Sequence, residues 1–387
     1  MRIALFSDTF FPQVNGVATV VATSARDLIK RGHEVCVVTN SSPNSMMVRS
    51  TKTKDGYQLI TVPSVRFPLY PGERLAIPLG MTVYQMKKFR PQIIHAHTPF
   101  SVGLEALYLS RVFRVPLIGT HHTFHDHYLR HLRLDFDWAK WLSWKYIVGF
   151  YNRCHYVLSQ SKALAEALEE HGLMKPITIL PNAVDASFFS PADVPRRVAL
   201  RSSLQLSGPV FVYVGRLSYE KNVAAVLEAV ALAQKKLQRI TLLVVGDGPE
   251  RESLEALTKA RGIADSVRFL GMKSSKEIVE ILQVSDGFIT ASCSENMPMT
   301  ILEAMAVGLP IVGVRALGVP ELVKEKENGF LAEPGDTKAL AAALVTLAEE
   351  SELQERYGKS SRQLALQYDP EKLLLQLETI YKQALND

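Results

Sequence analysis

Cysteine is scarce in this 387-residue chain, where Cys36, Cys154 and Cys293 stand far apart. An odd, scattered set without CxxC spacing excludes a disulfide framework and offers no zinc ribbon or finger. A reducing, cytoplasmic setting fits that usage. Charge of one sign is missing too, since 44 Lys and Arg oppose 39 Asp and Glu for a net +5. That is too mild to imply nucleic acid, and compatible with a basic face that meets phosphates or an anionic membrane. No apolar stretch reaches the roughly 20 residues a membrane-spanning helix needs. The opening RIALF is ended at once by Ser7 and Asp8, unlike a signal peptide. Any membrane contact is therefore expected to be peripheral. Short-period repeats and low-complexity tracts are also lacking.

What is present is a chain that is 47% hydrophobic and long enough for two cores, because single cores stop growing at roughly 250–300 residues. RIALFS, EVCVVT, QLITVP, QIIHAH, PLIGTH, YVLSQ and ITILP are short, β-branched, apolar runs, with helical patterns such as VATVVATSARDLIKR between several of them. That alternation predicts a parallel, doubly wound sheet. The stretch Pro181 to Pro209, with Pro191, Pro195 and Gly208, breaks the pattern and is read as the domain joint. A second series follows in VFVYVG, TLLVVG, VRFLG, GFITAS and PIVGV, and amphipathic helices close the chain from about Thr337.

Motifs fall where such sheets bind ligands, just beyond strand carboxyl ends. GRLSYEKN after FVYV carries Gly215, Arg216 and Lys221, and GDGPERE follows TLLVV. Glu295 and Glu303 bracket ENMPMTILE, which runs from the strand GFITAS into the helix pattern AMAVGLP. One carboxylate outside a helix start and a second about two turns inside can hold two ends of a polar ligand beside the positive helix end. In the first half, PQVNGV places Asn15 and Gly16 between a strand and a helix, where backbone amides can approach a phosphate, although NG is also a common turn.

Together these motifs resemble the retaining glycosyltransferases of family 4. SDTFFPQVNGVA, HAHTPFSVG, GTHHTF and NGFLAEPGD extend the resemblance over nearly the whole chain. It implies an α/β chain of GT-B fold, with two Rossmann-like domains facing a cleft. Their expected bounds are 1–185 for the acceptor domain and 186–368 for the nucleotide-sugar domain, with a last helix at 369–387 crossing back to the first. It further implies a hexosyltransferase in which Arg216 and Lys221 meet the diphosphate, Glu295 holds the donor sugar and Glu303 accepts from the ribose hydroxyls. Met299 and Thr300 open the helix beside the donor. Asn296, Met297, Pro298 and Met299 depart from the Gly or Pro, aromatic and Gly that often follow the first glutamate in the family. Retention of anomeric configuration is inherited from the resemblance, with same-face attack as the expected route.

The tract GTHHTFHDHYLRH holds His121, His122, His125, His127 and His131 without a defined zinc ligand framework. No metal and no cofactor are expected. The resemblance makes His122 the residue beside donor sugar and acceptor, orienting a hydroxyl or phosphate, with His121 one register away. DFD at Asp135 to Asp137 imitates a metal-binding DxD but does not end a strand.

All three tryptophans fall in DWAKWLSWKYIVGFYNR with Lys140, Lys145 and Arg153 interleaved. Trp138, Trp141, Leu142 and Lys145 share a helical face, which suits either packing against protein or a membrane interface. The amino-terminal motifs resemble glycolipid enzymes more than sucrose enzymes, which points to a lipid acceptor such as diacylglycerol. UDP-glucose is the first expected donor and GDP-mannose the second. A soluble or cell-envelope saccharide acceptor is the alternative, followed by a sugar-nucleotide epimerase or a non-catalytic sensor. An oxidoreductase is disfavoured because no strand is followed by GxGxxG. Base recognition by backbone groups is expected around Gly271 to Lys273.

Overall fold

The computed structural model describes residues 1–13, 15–40, 47–66, 74–76, 80–124 and 136–387. His125, His127, His131 and Asp135 lie outside the described residues. The chain divides into two units, one of Met1–Asn182 with Glu371–Asp387 and the other of Ala183–Pro370.

The first unit contains β1 (Arg2–Ser7), β2 (Glu34–Asn40), β3 (Arg49–Lys52), β4 (Gln58–Val62), β5 (Ser64–Arg66), β6 (Arg74–Ala76), β7 (Ile93–Ala96), β8 (Leu117–His121), β9 (Tyr156–Ser159) and β10 (Ile177–Ile179). Eight of them form a sheet in the order β10-β9-β8-β7-β1-β2-β4-β3, parallel throughout except for β3. The central strands are buried on both faces, as continuous apolar runs in a parallel sheet must be. Strand β3, RSTK, is exposed at all four positions, so no apolar pattern announced it; the antiparallel β5–β6 pair was likewise not anticipated.

The helix Gly16–Lys30 starts at Asn15, whose side chain accepts from the Ala18 amide, a regular N-cap. Helix Pro370–Asn386 docks on this unit, burying Leu377, Ile380, Tyr381 and Ala384 in the same core as Ile3, Leu5 and Leu28. Beside that core, Glu378 receives Arg31 Nε at 2.8 Å, Arg31 Nη2 at 3.0 Å and His33 Nε2 at 2.8 Å.

The second unit is built from β11 (Val210–Val214), β12 (Thr241–Val245), β13 (Val267–Gly271), β14 (Gly287–Ile289), β15 (Ile311–Val314) and β16 (Gly329–Ala332). They form one parallel sheet in the order β13-β12-β11-β14-β15-β16. This is the dinucleotide-fold order, with its reversal between β11 and β14. The polar joint sequence hides a helix, Val194–Ser203, capped by Asp193, and β16 closes an edge the sequence pattern did not predict. Two apolar cores cover the two faces of the sheet. Among the described residues, no helix is long and apolar enough to cross a membrane.

Candidate active site

In the second unit the reversal between β11 and β14 collects the residues singled out in the sequence. The fully buried run VFVYV ends at Gly215, and the Tyr213 hydroxyl donates to the Arg216 carbonyl at 3.0 Å, bracing the loop. The neighbouring loop locks it from the side: Gly215 N donates to Val245 O, Leu217 N to Asp247 O, and Glu250 N to Leu217 O, each at 3.0 Å. A Cβ on Gly246 would lie 1.9 Å from Gly215 O, and one on Gly248 2.2 Å from Leu217 O. The glycines of GDGPERE are therefore demanded by backbone contact, and the motif is a buttress for the Arg216 loop.

Arg216 is exposed and, among the described residues, makes no ion pair. Lys221 ends the 3₁₀ turn Tyr219–Lys221 and its Nζ lies 2.6 Å from Glu295 Oε1. The Glu295 loop is pinned to that turn by Ser292 Oγ and Ser294 Oγ, which donate to Glu220 O at 3.3 and 3.4 Å. On its other side Gly318 N donates to Glu295 O at 3.0 Å. A side chain at Gly318 would strike Asn296 O at 1.5 Å. Asn296 and Met297, which depart from the family pattern, are buried.

The helix Met299–Val307 begins at Pro298 with no side-chain cap, so the amides of Met299 and Thr300 keep the partial positive charge of an open helix start. Glu303 sits one turn further in. Part of its surface is open to solvent, yet protein encloses the carboxyl enough for burial to push it up to about 8. Among the described residues no cation meets it. Burial, followed by the nearby charges of Glu295, Glu220 and Glu250, pushes the Tyr213 phenol well up. The site thus presents an exposed guanidinium, an ammonium–carboxylate pair, an open helix start and an unpaired carboxyl: groups for a diphosphate on one side and hydroxyls on the other.

In the first unit the reversal lies between β1 and β7. Asp8, just past β1, accepts from Ser101 Oγ at 2.5 Å, Val102 N at 2.9 Å and Thr98 Oγ1 at 2.6 Å, tying the start of helix Ser101–Phe113 to the strand. This accounts for the SDTF and HTPFSVG motifs as architecture. Asn15 spends its side chain on the helix cap, while Gly16 is exposed and faces open space.

His122 follows β8, and its Nε2 lies 3.0 Å from His97 Nδ1. Burial holds its imidazole down at about 4. The alternative, His121, turns the other way: its Nδ1 meets Tyr151 Oη at 3.2 Å and its ring packs edge-on to Trp144. Strand alternation separates the two. Gln160, beyond β9, and Asn182 share a hydrogen bond along the same edge. The sequence reading gave no role to Asp8, His97 or Gln160; the signal was there in polar residues immediately after apolar strands.

The tryptophan-rich segment forms the helix Asp137–Tyr151. Trp138, Trp141 and Leu142 are 63%, 60% and 53% exposed, so that face is not packed into the core. Trp144 alone of the three tryptophans is buried. Lys145 Nζ lies 4.6 Å over the Trp141 ring, and Phe136 stacks on Trp138.

The Anabaena protein HepE, solved with UDP, matches the chain with a TM-score of 0.78 at 20% identity, over 99% of this chain and 100% of that one. The fold that this likeness and the two sheets define is the GT-B architecture. The family model described as Glycosyltransferase Family 4 matches residues 14–188, and that described as Glycosyl transferases group 1 matches residues 200–364. Alpha-monoglucosyldiacylglycerol synthase of Streptococcus pneumoniae is 31% identical over 86% of this chain and 75% of its own length. GDP-mannose-dependent alpha-mannosyltransferase of Corynebacterium glutamicum is 30% identical over 91% of this chain and 81% of its own. The chain belongs to glycosyltransferase family 4.

Proposed function

We propose that this enzyme moves a hexose from a nucleoside diphosphate sugar, UDP-glucose first and GDP-mannose second, to a hydroxyl of a membrane lipid such as diacylglycerol, with retention. The observation that carries the reading is the Lys221–Glu295 contact of 2.6 Å at the β11–β14 reversal, next along the chain to the unpaired Glu303. Arg216, Lys221 and the amides of Met299 and Thr300 stabilise charge as it grows on the departing diphosphate. Glu295 holds sugar hydroxyls and Glu303 the ribose hydroxyls. His122, neutral through burial, orients a donor or acceptor hydroxyl.

In the proposed step the bond from the anomeric carbon to the diphosphate oxygen breaks as the acceptor oxygen bonds on the same face. The acceptor's proton passes to the leaving phosphate, so no enzyme nucleophile is needed. The lipid acceptor is supported by the name of the Streptococcus pneumoniae relative and by the exposed face of Trp138, Trp141 and Leu142 beside Lys145. Aromatic rings with interleaved cations suit the headgroup region of an anionic, cytoplasm-facing leaflet.

The test is a nucleotide-release assay crossing UDP-glucose and GDP-mannose with diacylglycerol vesicles, phosphatidylinositol vesicles and soluble sugars. Release that requires one donor and a lipid supports the reading. Release driven by a soluble sugar moves the enzyme to saccharide synthesis, and an inverted product anomer by NMR rules out same-face attack.

A further inference from the structure

The second unit holds a cavity of about 640 Å³ for which the transfer step described above has no task. It lies where Ser285 leads into β14 and Pro310 into β15, at the amino-terminal edge of the sheet. The donor residues lie beyond the carboxyl ends of β11 and β14, so the two places are on opposite edges. One helix reaches both: Met299–Val307 starts at the donor site, and Val307 with Gly308 at its other end lines the cavity. Small-molecule sites occupy roughly 300–1,000 Å³, so the volume suits one such ligand.

The charge around this cavity is unbalanced toward the positive. Arg197 on the wall and Arg201 behind it both donate to the single carboxylate of Asp286, which also accepts from Val210 N at 2.7 Å and Gln354 Nε2 at 3.2 Å. Arg362, also on the wall, meets no acid among the described residues. Its Nη1 caps carbonyls, donating to Phe189 O at 2.8 Å and to Ala306 O near the helix end. The Nε and Nη2 edge of that guanidinium has no hydrogen bond among the described residues, and partial burial disfavours its charge. Two N–H groups side by side on a planar cation match two oxygens of a phosphate. Lys359 stands one turn back on the same helix face. It is held only by an exposed pair with Glu355, a contact weak enough to yield to a ligand.

The wall also carries polar atoms that the protein leaves unpaired. Gln283, 7% exposed, donates through Nε2 to Ser190 O at 2.7 Å, whereas its Oε1 is buried with no hydrogen bond among the described residues. Arg197 Nε is buried in the same condition. Buried polar atoms are nearly always paired, so two unpaired on one wall point to a partner from outside the protein. An amide oxygen asks for a hydroxyl or N–H donor. Pro191, Leu309 and Pro310 supply apolar surface beside them.

We propose that this cavity is a second binding site, for a small phosphorylated molecule that carries hydroxyls. Its phosphate lies on the Nε–Nη2 edge of Arg362 beside Lys359, and its hydroxyls face the Gln283 wall. The inference does not depend on the donor-site reading.

The test is isothermal titration of glucose 6-phosphate, inorganic phosphate and glucose into wild type, Lys359→Glu, Arg362→Gln and the double variant Arg216→Ala with Lys221→Ala. Wild type and the double variant should bind glucose 6-phosphate alike, more tightly than inorganic phosphate, and glucose should not bind. Lys359→Glu and Arg362→Gln should each lose about 10-fold or more in affinity, as for removing a charged hydrogen-bonding group. Lys359 is exposed, so Lys359→Glu should melt as wild type does and carries the test if loss of the carbonyl cap unfolds Arg362→Gln. No binding by wild type, binding abolished in the double variant, or equal affinity in wild type and Lys359→Glu overturns the proposal. Equal affinities for inorganic phosphate and glucose 6-phosphate overturn the part given to the hydroxyls.

Discussion

Lys221 Nζ lies 2.6 Å from Glu295 Oε1 although 74 residues separate them in the chain. The contact spans the loops that follow β11 and β14, the two parallel strands at which the strand order of the second sheet reverses. It joins the phosphate-binding half of the proposed donor site to its sugar-binding half, so each half holds the other in place.

Removing either partner should act on catalysis far more than on folding. For Lys221→Ala, kcat/KM is expected to fall at least about 100-fold, in the range seen when a group facing developing charge is deleted. The partly exposed pair should contribute only about 1 kcal/mol or less to stability. Steady-state kinetics beside thermal melts check this; a large melting loss with modest kinetic change would make the pair a structural strut.

Glu303 gives a pH signature. Its carboxyl stands at about 8 in the folded protein because burial disfavours its charge, whereas an unfolded Glu titrates near 4.3. Between these values the folded state holds a proton that the unfolded state has lost, so stability falls as pH rises from about 4.3 to about 8. Glu303→Gln should remove that slope and become more stable than wild type above pH 8. Parallel melting curves for the two proteins across pH 5–9 would contradict the burial of this carboxyl.

At the acid end the opposite sign applies. The hydrogen bond from Arg31 comes first, and His33 adds to it, in holding Glu378 down at about 2. Stability from this contact is present above the unfolded value near 4.3 and is lost as pH falls toward 2. Glu378→Gln should weaken the docking of helix Pro370–Asn386 at pH 7 and lose its difference from wild type near pH 2, read by hydrogen exchange of that helix.

Much of the fold was legible because parallel strands buried on both faces must be apolar runs: RIALFS, EVCVVT and VFVYV each became the strand their pattern implied. RSTK was illegible for the converse reason, since an exposed edge strand needs no apolar side chains. Arg216, Lys221, Glu295 and Glu303 could be found by their place after strands. The contact of Tyr381 with His95 could not, because a hydrogen bond between residues 286 apart leaves no local spacing to read.

The tryptophan helix separates two roles by exposure. Trp138→Ser with Trp141→Ser should leave the melting temperature nearly unchanged, and reduce binding to anionic vesicles in a salt-dependent way. Trp144→Ala, at a site 3% exposed, should instead cost about 3–5 kcal/mol of stability. Undiminished vesicle flotation by the double variant would move membrane contact elsewhere.

The donor site itself is tested most directly by isothermal titration of UDP and GDP into wild type, Arg216→Ala and Glu303→Ala. The account predicts that one nucleotide binds and that affinity falls about 10-fold or more in both variants, as expected for losing a hydrogen-bonding group, charged at Arg216 and buried at Glu303, at roughly 1–3 kcal/mol. Equal affinity in wild type and both variants, or no binding of either nucleotide, would contradict it.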